Sequence, residues 1–233
     1  MKLSVIIPVF NENKFIKSTV ENVLDFHKEG IYVNLVIVDD CSDDGTYEIL
    51  KDLEEKNSSR ILLLKHDQNR GKGAAIRTAL EKIDSDLVLI QDADLEYDPT
   101  DYSVLIEPFL KNDADVVYGT RFHGGRAVRV HLFWNYFANK ILTLITNILT
   151  NINFSDMETG YKVFKTNVLK SIKLVENDFR FEPEVTIKLA HKKKKFFEVP
   201  ISYNGRNYLE GKKIKTKDAI LAVICLFRHF IFR

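Results

Sequence analysis

Residues 33–45 read VNLVIVDDCSDDG. The first six are dominated by Val, Ile and Leu, the composition of a strand buried on both faces, as in a parallel sheet. The run ends abruptly in two carboxylates, Asp39 and Asp40, and then in a cluster of turn residues closed by Gly45. A helical pattern over residues 46–56 follows. Working outward, the same unit recurs. Residues 3–10 form an apolar run, after which Phe15, Ile16, Val20, Val23 and Leu24 recur at helical spacing. Strands are expected at 61–65, 87–90 and 115–118, with helices at 73–82 and 101–111. Strands alternating with helices predict an α/β fold with a mostly parallel central sheet flanked by helices. In such sheets ligands bind beyond the carboxyl ends of the strands.

The register changes after Arg121. A Gly124-Gly125 loop carries Arg126 and Arg129. A long amphipathic helix comes next, with Phe133, Phe137, Ile141, Leu144, Ile145 and Ile148 on one face and Asn135, Asn139, Thr143 and Thr146 towards the other. Short elements lead to strands at 161–164 and 196–202 and a last helix at 217–230. The expected organisation is one domain over 1–211, with halves 1–120 and 121–211, and a helical, basic C-terminal extension over 212–233.

Composition narrows the function classes. The 233 residues are 45% hydrophobic and 29% charged, enough for a sizeable core. Ten Gly and five Pro exclude collagen-like and Pro-rich classes. With 34 Lys plus Arg against 33 Asp plus Glu the net charge is +1, which gives no case for a nucleic-acid partner. Two cysteines, Cys41 and Cys225, are too few for a disulfide scaffold or a Cys-based zinc site. The N-terminal apolar run of about six residues is too short for a signal peptide. A spanning helix needs ~20 consecutive apolar residues, and none is present.

Three acidic sites stand at predicted strand ends: Glu12 after the first, Asp39-Asp40 at the second, and Asp92-Ala93-Asp94-Leu95-Glu96 after the fourth. In a parallel sheet they converge on one crevice. Clustered carboxylates repel unless a cation sits among them, and hard oxygen ligands suit Mg²⁺ or Mn²⁺ held jointly with substrate phosphates. An isolated Asp-x-Asp is otherwise a solvated turn; the convergence favours the metal–diphosphate reading. The loop Asn69-Arg70-Gly71-Lys72-Gly73 opens a helix and invites a phosphate-loop reading. It lacks the Walker pattern, and Ile76 stands where a dinucleotide fingerprint has its third Gly, so a tight strand-to-helix turn is the equal alternative.

Taken in order, IIPVFNEN, VIVDDCSDDGT, NRGKGAA and QDADLEYDP resemble family-2 glycosyltransferases of the GT-A fold. GTRFHGG, DMETGYKVFK, FRFEPEVTIKLA and EVPISYNGRNYLEGKKI resemble the branch that holds dolichyl-phosphate mannosyltransferase and bacterial polyprenyl-phosphate hexosyltransferases. The resemblance implies that Pro8, Phe10, Glu12, Ile37, Asp39, Asp92, Ala93 and Lys212 bind the nucleotide, that Asp92, Asp94, Arg206 and Asp156 make up the catalytic set, and that Asp94 and Glu96 hold the metal. It assigns Arg121, Arg126 and Arg129 to the acceptor phosphate and Arg206 and Lys212 to a basic segment over the donor diphosphate. Asp156 falls where the family often places an acidic group, beside Glu158.

The implied reaction moves mannose or glucose, from GDP-mannose or UDP-glucose, to a polyprenyl or dolichyl phosphate with inversion. A phosphate acceptor, with a second pKa of about 6, is already ionised and needs no general base. Asp156 is then an orienting group whose exchange for Asn is expected to cost little; with a saccharide hydroxyl as acceptor it becomes a candidate base. A non-catalytic nucleotide-sugar-binding membrane protein is the rival of another class. Residues 188–233 hold 12 Lys/Arg against 3 Asp/Glu, a net +9. With the stripe Ile220, Leu221, Ile224 and Phe227, this predicts either an interfacial helix or a core-packed one with a basic outer face. The expected location is cytoplasmic, peripheral on the cytoplasmic face of a membrane, held there by salt-sensitive attraction.

Overall fold

In the computed structural model, which describes residues 1–125, 127–130, 132–206 and 216–232, the predicted alternation is present. Strands are β1 (Lys2–Val9), β2 (Tyr32–Asp39), β3 (Ile61–Lys65), β4 (Leu87–Ile90), β5 (Val116–Thr120), β6 (Lys162–Lys165) and β7 (Phe196–Pro200). Helices are α1 (Ile16–Asp25), α2 (Thr46–Lys56), α3 (Lys72–Leu80), α4 (Tyr102–Lys111), α5 (Phe133–Thr150), α6 (Thr166–Lys170), α7 (Phe181–His191) and α8 (Thr216–Ile231). The strands form one sheet in the order β3-β2-β1-β4-β6-β5-β7. All neighbours are parallel except β6, which runs antiparallel to both β4 and β5.

Successive side chains of a strand point to opposite faces, and here each face is apolar. Leu3, Val5, Ile7, Val33, Leu35, Ile37, Leu87 and Leu89 join one layer with Ile16, Val20 and Val23 of α1, Leu50 and Leu53 of α2, and Leu105 and Ile106 of α4. Ile6, Val36, Val38, Val88 and Ile90 face the other layer, closed by Ala75, Ile76 and Ala79 of α3 and by Phe181, Val185 and Leu189 of α7. A smaller cluster of Leu142, Met157, Ile187, Ala222 and Leu226 fastens α5, α7 and α8 together. The parallel register pairs Val9 with Asp39 and Ile6 with Ile90, so the segments leaving β1, β2 and β4 emerge at one edge.

The long helix is turned opposite to a soluble amphipathic helix. Its buried residues are Leu142, Thr143 and Thr146. Phe133, Trp134 (73%), Phe137, Ile141, Leu144 and Ile148 are exposed, as is Val130 (93%) just upstream of the helix, but Ile145, expected on the same face, is half-buried against the Leu142 cluster. The polar stripe faces inward because it has polar work there. Asn139 donates to Asp156, Thr143 Oγ1 accepts from the Met157 N–H, and Asn147 donates to and accepts from the Phe154 backbone. In α8, Ala222, Cys225, Leu226 and His229 pack inward, whereas Ile220, Leu221, Ile224, Phe227 and Ile231 are exposed. The predicted stripe of α8 is therefore exposed among the described residues, while another face of the helix, with Ala222 and Leu226, packs on α5 and α7. No described helix is long and apolar enough to cross a membrane.

Candidate active site

The loops after β1 and β2 are laced to one another. Asn11 N–H donates to Ser42 Oγ (3.0 Å), Glu12 N–H to Thr46 Oγ1 (3.0 Å) and Asn13 N–H to Asp44 (3.2 Å). This fixes Glu12 above the sheet. Asp39 is fully buried at the end of β2; its Oδ2 accepts the Ser42 N–H, while its Oδ1 has no partner among the described residues. Phe10 is exposed at the rim, and Ile37 is wholly buried in the first apolar layer, so its side chain belongs to the core.

After β4 the chain delivers Asp92, Asp94 and Glu96. Arg206 arrives from 112 residues beyond Asp94. Its Nη2 lies 2.5 Å from Asp94 Oδ2, its Nε 3.3 Å from Glu96 Oε1 and its Nη1 3.4 Å from Glu12 Oε2. The Arg206 N–H also donates to Glu96 Oε1 (2.8 Å). Burial, then repulsion from Glu96 and Asp92, pushes the Asp94 carboxyl up to about 7 against the pull of Arg206. Even with a guanidinium present, the cluster holds more negative charge than it can comfortably ionise. The donor set is entirely oxygen. A hard divalent cation, Mg²⁺ or Mn²⁺, fits both facts, and Asp94 and Glu96 are the residues that would hold it.

Asp92 is held from another direction. Lys72 Nζ lies 2.7 Å from Asp92 Oδ1 and 2.7 Å from Glu182 Oε1. Burial opposes the Lys72 charge, but the attraction of Asp92 and Glu182 outweighs it and holds the ammonium ionised. The loop that carries Lys72 is not a phosphate cradle. The N–H groups of Arg70 and Gly71 donate to the Asp40 carboxylate (2.9 and 2.7 Å), which also meets His66 Nδ1. A Cβ on Gly71 or Gly73 would run into the carbonyls of Asn177 or Glu176. The glycines let the loop press against residues 176–178, and the alternative of a tight turn is the correct one. On the far side of Asp92 sits Gly160, where a Cβ would collide with Asp92 Oδ2 and approach the Tyr97 ring to 2.8 Å. Gly160→Ala is expected to cost about 1–3 kcal/mol through overpacking and to weaken nucleotide binding, checked by thermal melting and calorimetry.

The second cluster follows β5. Arg121 grips Asp156 with two parallel bonds, Nε to Oδ2 and Nη2 to Oδ1, each 2.7 Å, and its N–H adds a third at 3.0 Å. Asp156 is fully buried; burial raises its pKa, but the Arg121 charge and bonds more than reverse that and hold it below the usual carboxylate range. Every contact marks Asp156 as the anchor of Arg121. An ionised, saturated carboxylate is poorly placed to act as a base, and the expectation that Asp156→Asn costs little does not survive this geometry. Glu158 lies behind it, pushed up to about 7 by burial and then by Glu182, and buried Lys162 is pulled down to about 8 by burial.

Tyr203 links the two clusters. Its hydroxyl donates to Glu96 Oε2 (2.8 Å), and the Arg121 guanidinium lies 5.0 Å over its ring. Arg129 is exposed and donates to the Gly205 carbonyl (3.1 Å). Arg126 and Lys212 lie outside the described residues. Thus Glu12, Asp94, Glu96 and Arg206 meet directly, and Arg121 and Asp156 form their own pair. Lys72, Glu182, Tyr203 and Gly160 were not singled out as site residues by the sequence reading. Lys72 carried a signal: a cation at the first residue of a helix opposes the helix dipole and calls for a compensating anion.

A doubly covered sheet with acidic groups at its carboxyl edge is the frame of a nucleotide-sugar enzyme, and the chain belongs to glycosyl transferase family 2, whose model matches residues 4–173. It is a glycosyltransferase. It is 31% identical over 233 aligned positions to the UDP-N-acetylglucosamine–dolichyl-phosphate N-acetylglucosaminyltransferase of Methanococcus voltae, covering 90% of this chain and 91% of that protein. It is 29% identical to the dolichol-phosphate mannosyltransferase of Pyrococcus furiosus, covering 92% of this chain and 61% of that one. Among solved structures, glucosyl-3-phosphoglycerate synthase from Mycobacterium tuberculosis, crystallised with Mn²⁺, UDP and phosphoglyceric acid, superposes with a TM-score of 0.74 at 15% identity, covering 98% of this chain and 78% of that one. That likeness confirms the GT-A architecture.

Proposed function

We propose that the protein transfers a sugar, mannose or glucose in the first instance, from a nucleotide-sugar donor to a polyprenyl or dolichyl phosphate, with inversion and with Mg²⁺ or Mn²⁺ as cofactor. The observation that carries this reading is the pairing of two unlike clusters across Tyr203: carboxylates with Arg206 on one side, Arg121 locked in a planar grip on the other. Glu12 and Asp39 serve the nucleoside and Asp92, Asp94 and Glu96 its diphosphate. A bound divalent cation would stabilise charge developing on the leaving diphosphate, and Arg206 adds a fixed cation to the same end. Arg121, oriented by its Nε and Nη2 bonds to Asp156, and exposed Arg129 receive the acceptor phosphate, a guanidinium being a permanent cation whose remaining N–H groups donate to phosphate oxygens. An ionised phosphate attacks in one displacement without surrendering a proton, which fits a site whose nearest carboxylate, Asp156, is already saturated. The relatives act, by name, on dolichyl phosphate with N-acetylglucosamine or mannose. The test is therefore a screen of GDP-mannose, UDP-glucose and UDP-N-acetylglucosamine against one polyprenyl phosphate, with product mass and anomeric configuration measured. No lipid-linked product from any donor would overturn the reading.

The acceptor lives in a membrane, and the exposed stripes of α5 and α8 support docking on a membrane surface, which we place on the cytoplasmic side. Helix α5 contains no acidic residue and begins beside the arginine-bearing loop. Exposed Phe133, Trp134, Tyr136 and Phe137 near its start suit the interfacial zone where aromatic rings settle. Attachment thus has an apolar part beside the +9 charge of residues 188–233. Vesicle binding should weaken but persist at 1 M salt, where the Debye length is about 3 Å. Paired Trp134→Glu and Ile148→Glu exchanges should abolish that remainder in a liposome sedimentation assay.

A further inference from the structure

The cation seat is already in use. The Arg206 guanidinium has its three nitrogens turned to three different carboxylates, Glu96, Glu12 and Asp94, at 3.3, 3.4 and 2.5 Å. Two of them, Asp94 and Glu96, are the carboxylates that would hold a divalent ion. The residue is also steered into place: its N–H is fixed on Glu96 at 2.8 Å, and its guanidinium lies 5.4 Å over the Phe15 ring. Lys72, the other buried cation of the crevice, is committed to Asp92 and Glu182.

We propose that Arg206 is a built-in counter-ion that competes with divalent metal for Asp94 and Glu96, so that metal binds poorly alone and loads together with the nucleotide diphosphate. This rests on the donor site proposed above. A free metal ion must displace the guanidinium from Asp94 and Glu96 and leave it beside a like charge, with no further anion to receive it. A nucleoside diphosphate removes that penalty. It supplies phosphate oxygens to the metal and gives the guanidinium the partner it binds best, a planar bidentate grip on phosphate. The anchored Arg206 N–H lets the side chain turn while the backbone keeps its bond to Glu96. One side chain thereby guards the seat before the donor arrives and clamps the donor afterwards.

Electron paramagnetic resonance of Mn²⁺, which reports the free aqua ion directly, tests this without any turnover. Wild type, Arg206→Ala and Arg206→Gln are titrated with Mn²⁺ alone, then with saturating GDP or UDP, after melting curves confirm that each is folded. Both variants should bind Mn²⁺ alone at least about tenfold more tightly than wild type, within the 5–150-fold range common for coupled sites. Adding nucleotide should shrink that difference, because wild type gains more from it. Asp94→Asn in the Arg206→Ala background should lose the gain. Variants that bind Mn²⁺ alone no better than wild type would overturn the competition. A wild type that binds neither nucleotide in the presence of Mn²⁺ would instead overturn the donor-site reading, leaving the metal-alone comparison to stand or fall separately.

Discussion

Asp156→Asn should be one of the most damaging single exchanges in the chain, although it removes only a charge. Asp156 is fully buried and receives three bonds from Arg121, and its own N–H is fixed by Glu198. An asparagine offers one acceptor oxygen and presents an amide N–H₂ to a guanidinium that can only donate. Breaking a buried pair by removing one partner costs about 3–5 kcal/mol, because the other charge is left uncompensated. Turnover should fall with it, since Arg121 loses the plane in which it meets the acceptor. Whether the loss runs through Arg121 is open to measurement: Asp156→Asn added to Arg121→Ala should cost little more in kcat than Arg121→Ala alone, the non-additivity expected of residues that act as one unit. Fully additive losses would show that Asp156 has a task of its own, such as proton abstraction.

Lys72→Met should be comparably severe, by a different route. Without the ammonium, Asp92 and Glu182 lose the cation they share, and Glu182 Oε2 already has no partner among the described residues. At about 3–5 kcal/mol for a broken buried pair and about 2–4 °C per kcal/mol at this chain length, Tm should drop by roughly 6–20 °C. Glu182→Gln should cost less, because Lys72 keeps Asp92. A Lys72→Met protein that melts like wild type would mean the lysine is dispensable to the crevice.

How far the sequence could be read depended on how local the deciding interaction was. Strands β1, β2 and β4 were legible because each is apolar on both faces and a carboxylate ends it or follows shortly: Glu12 after β1, Asp39 in β2, Asp92 after β4. The family motifs placed Asp92, Asp94, Glu96 and Arg206 in one list. Their mutual geometry was not legible, since Arg206 meets Glu12 across 194 residues and no periodicity carries that distance. Strand β6 was placed, but nothing local marks it as the one strand running against its neighbours. Helix α5 misleads most directly. Periodicity separates its apolar and polar stripes, Ile145 excepted, but cannot say which one faces inward. What decides is Asp156 and the Phe154 backbone, which Asn139 and Asn147 must reach.

Two outward apolar stripes on a chain of net charge +1 also govern how the molecule behaves as a colloid. Like-charge repulsion between copies is weak when net charge is near zero, and large apolar patches then drive association. In plain buffer the protein should therefore cluster while fully folded, eluting early from a sizing column with an undiminished circular-dichroism spectrum. Detergent or lipid should disperse it without any refolding step.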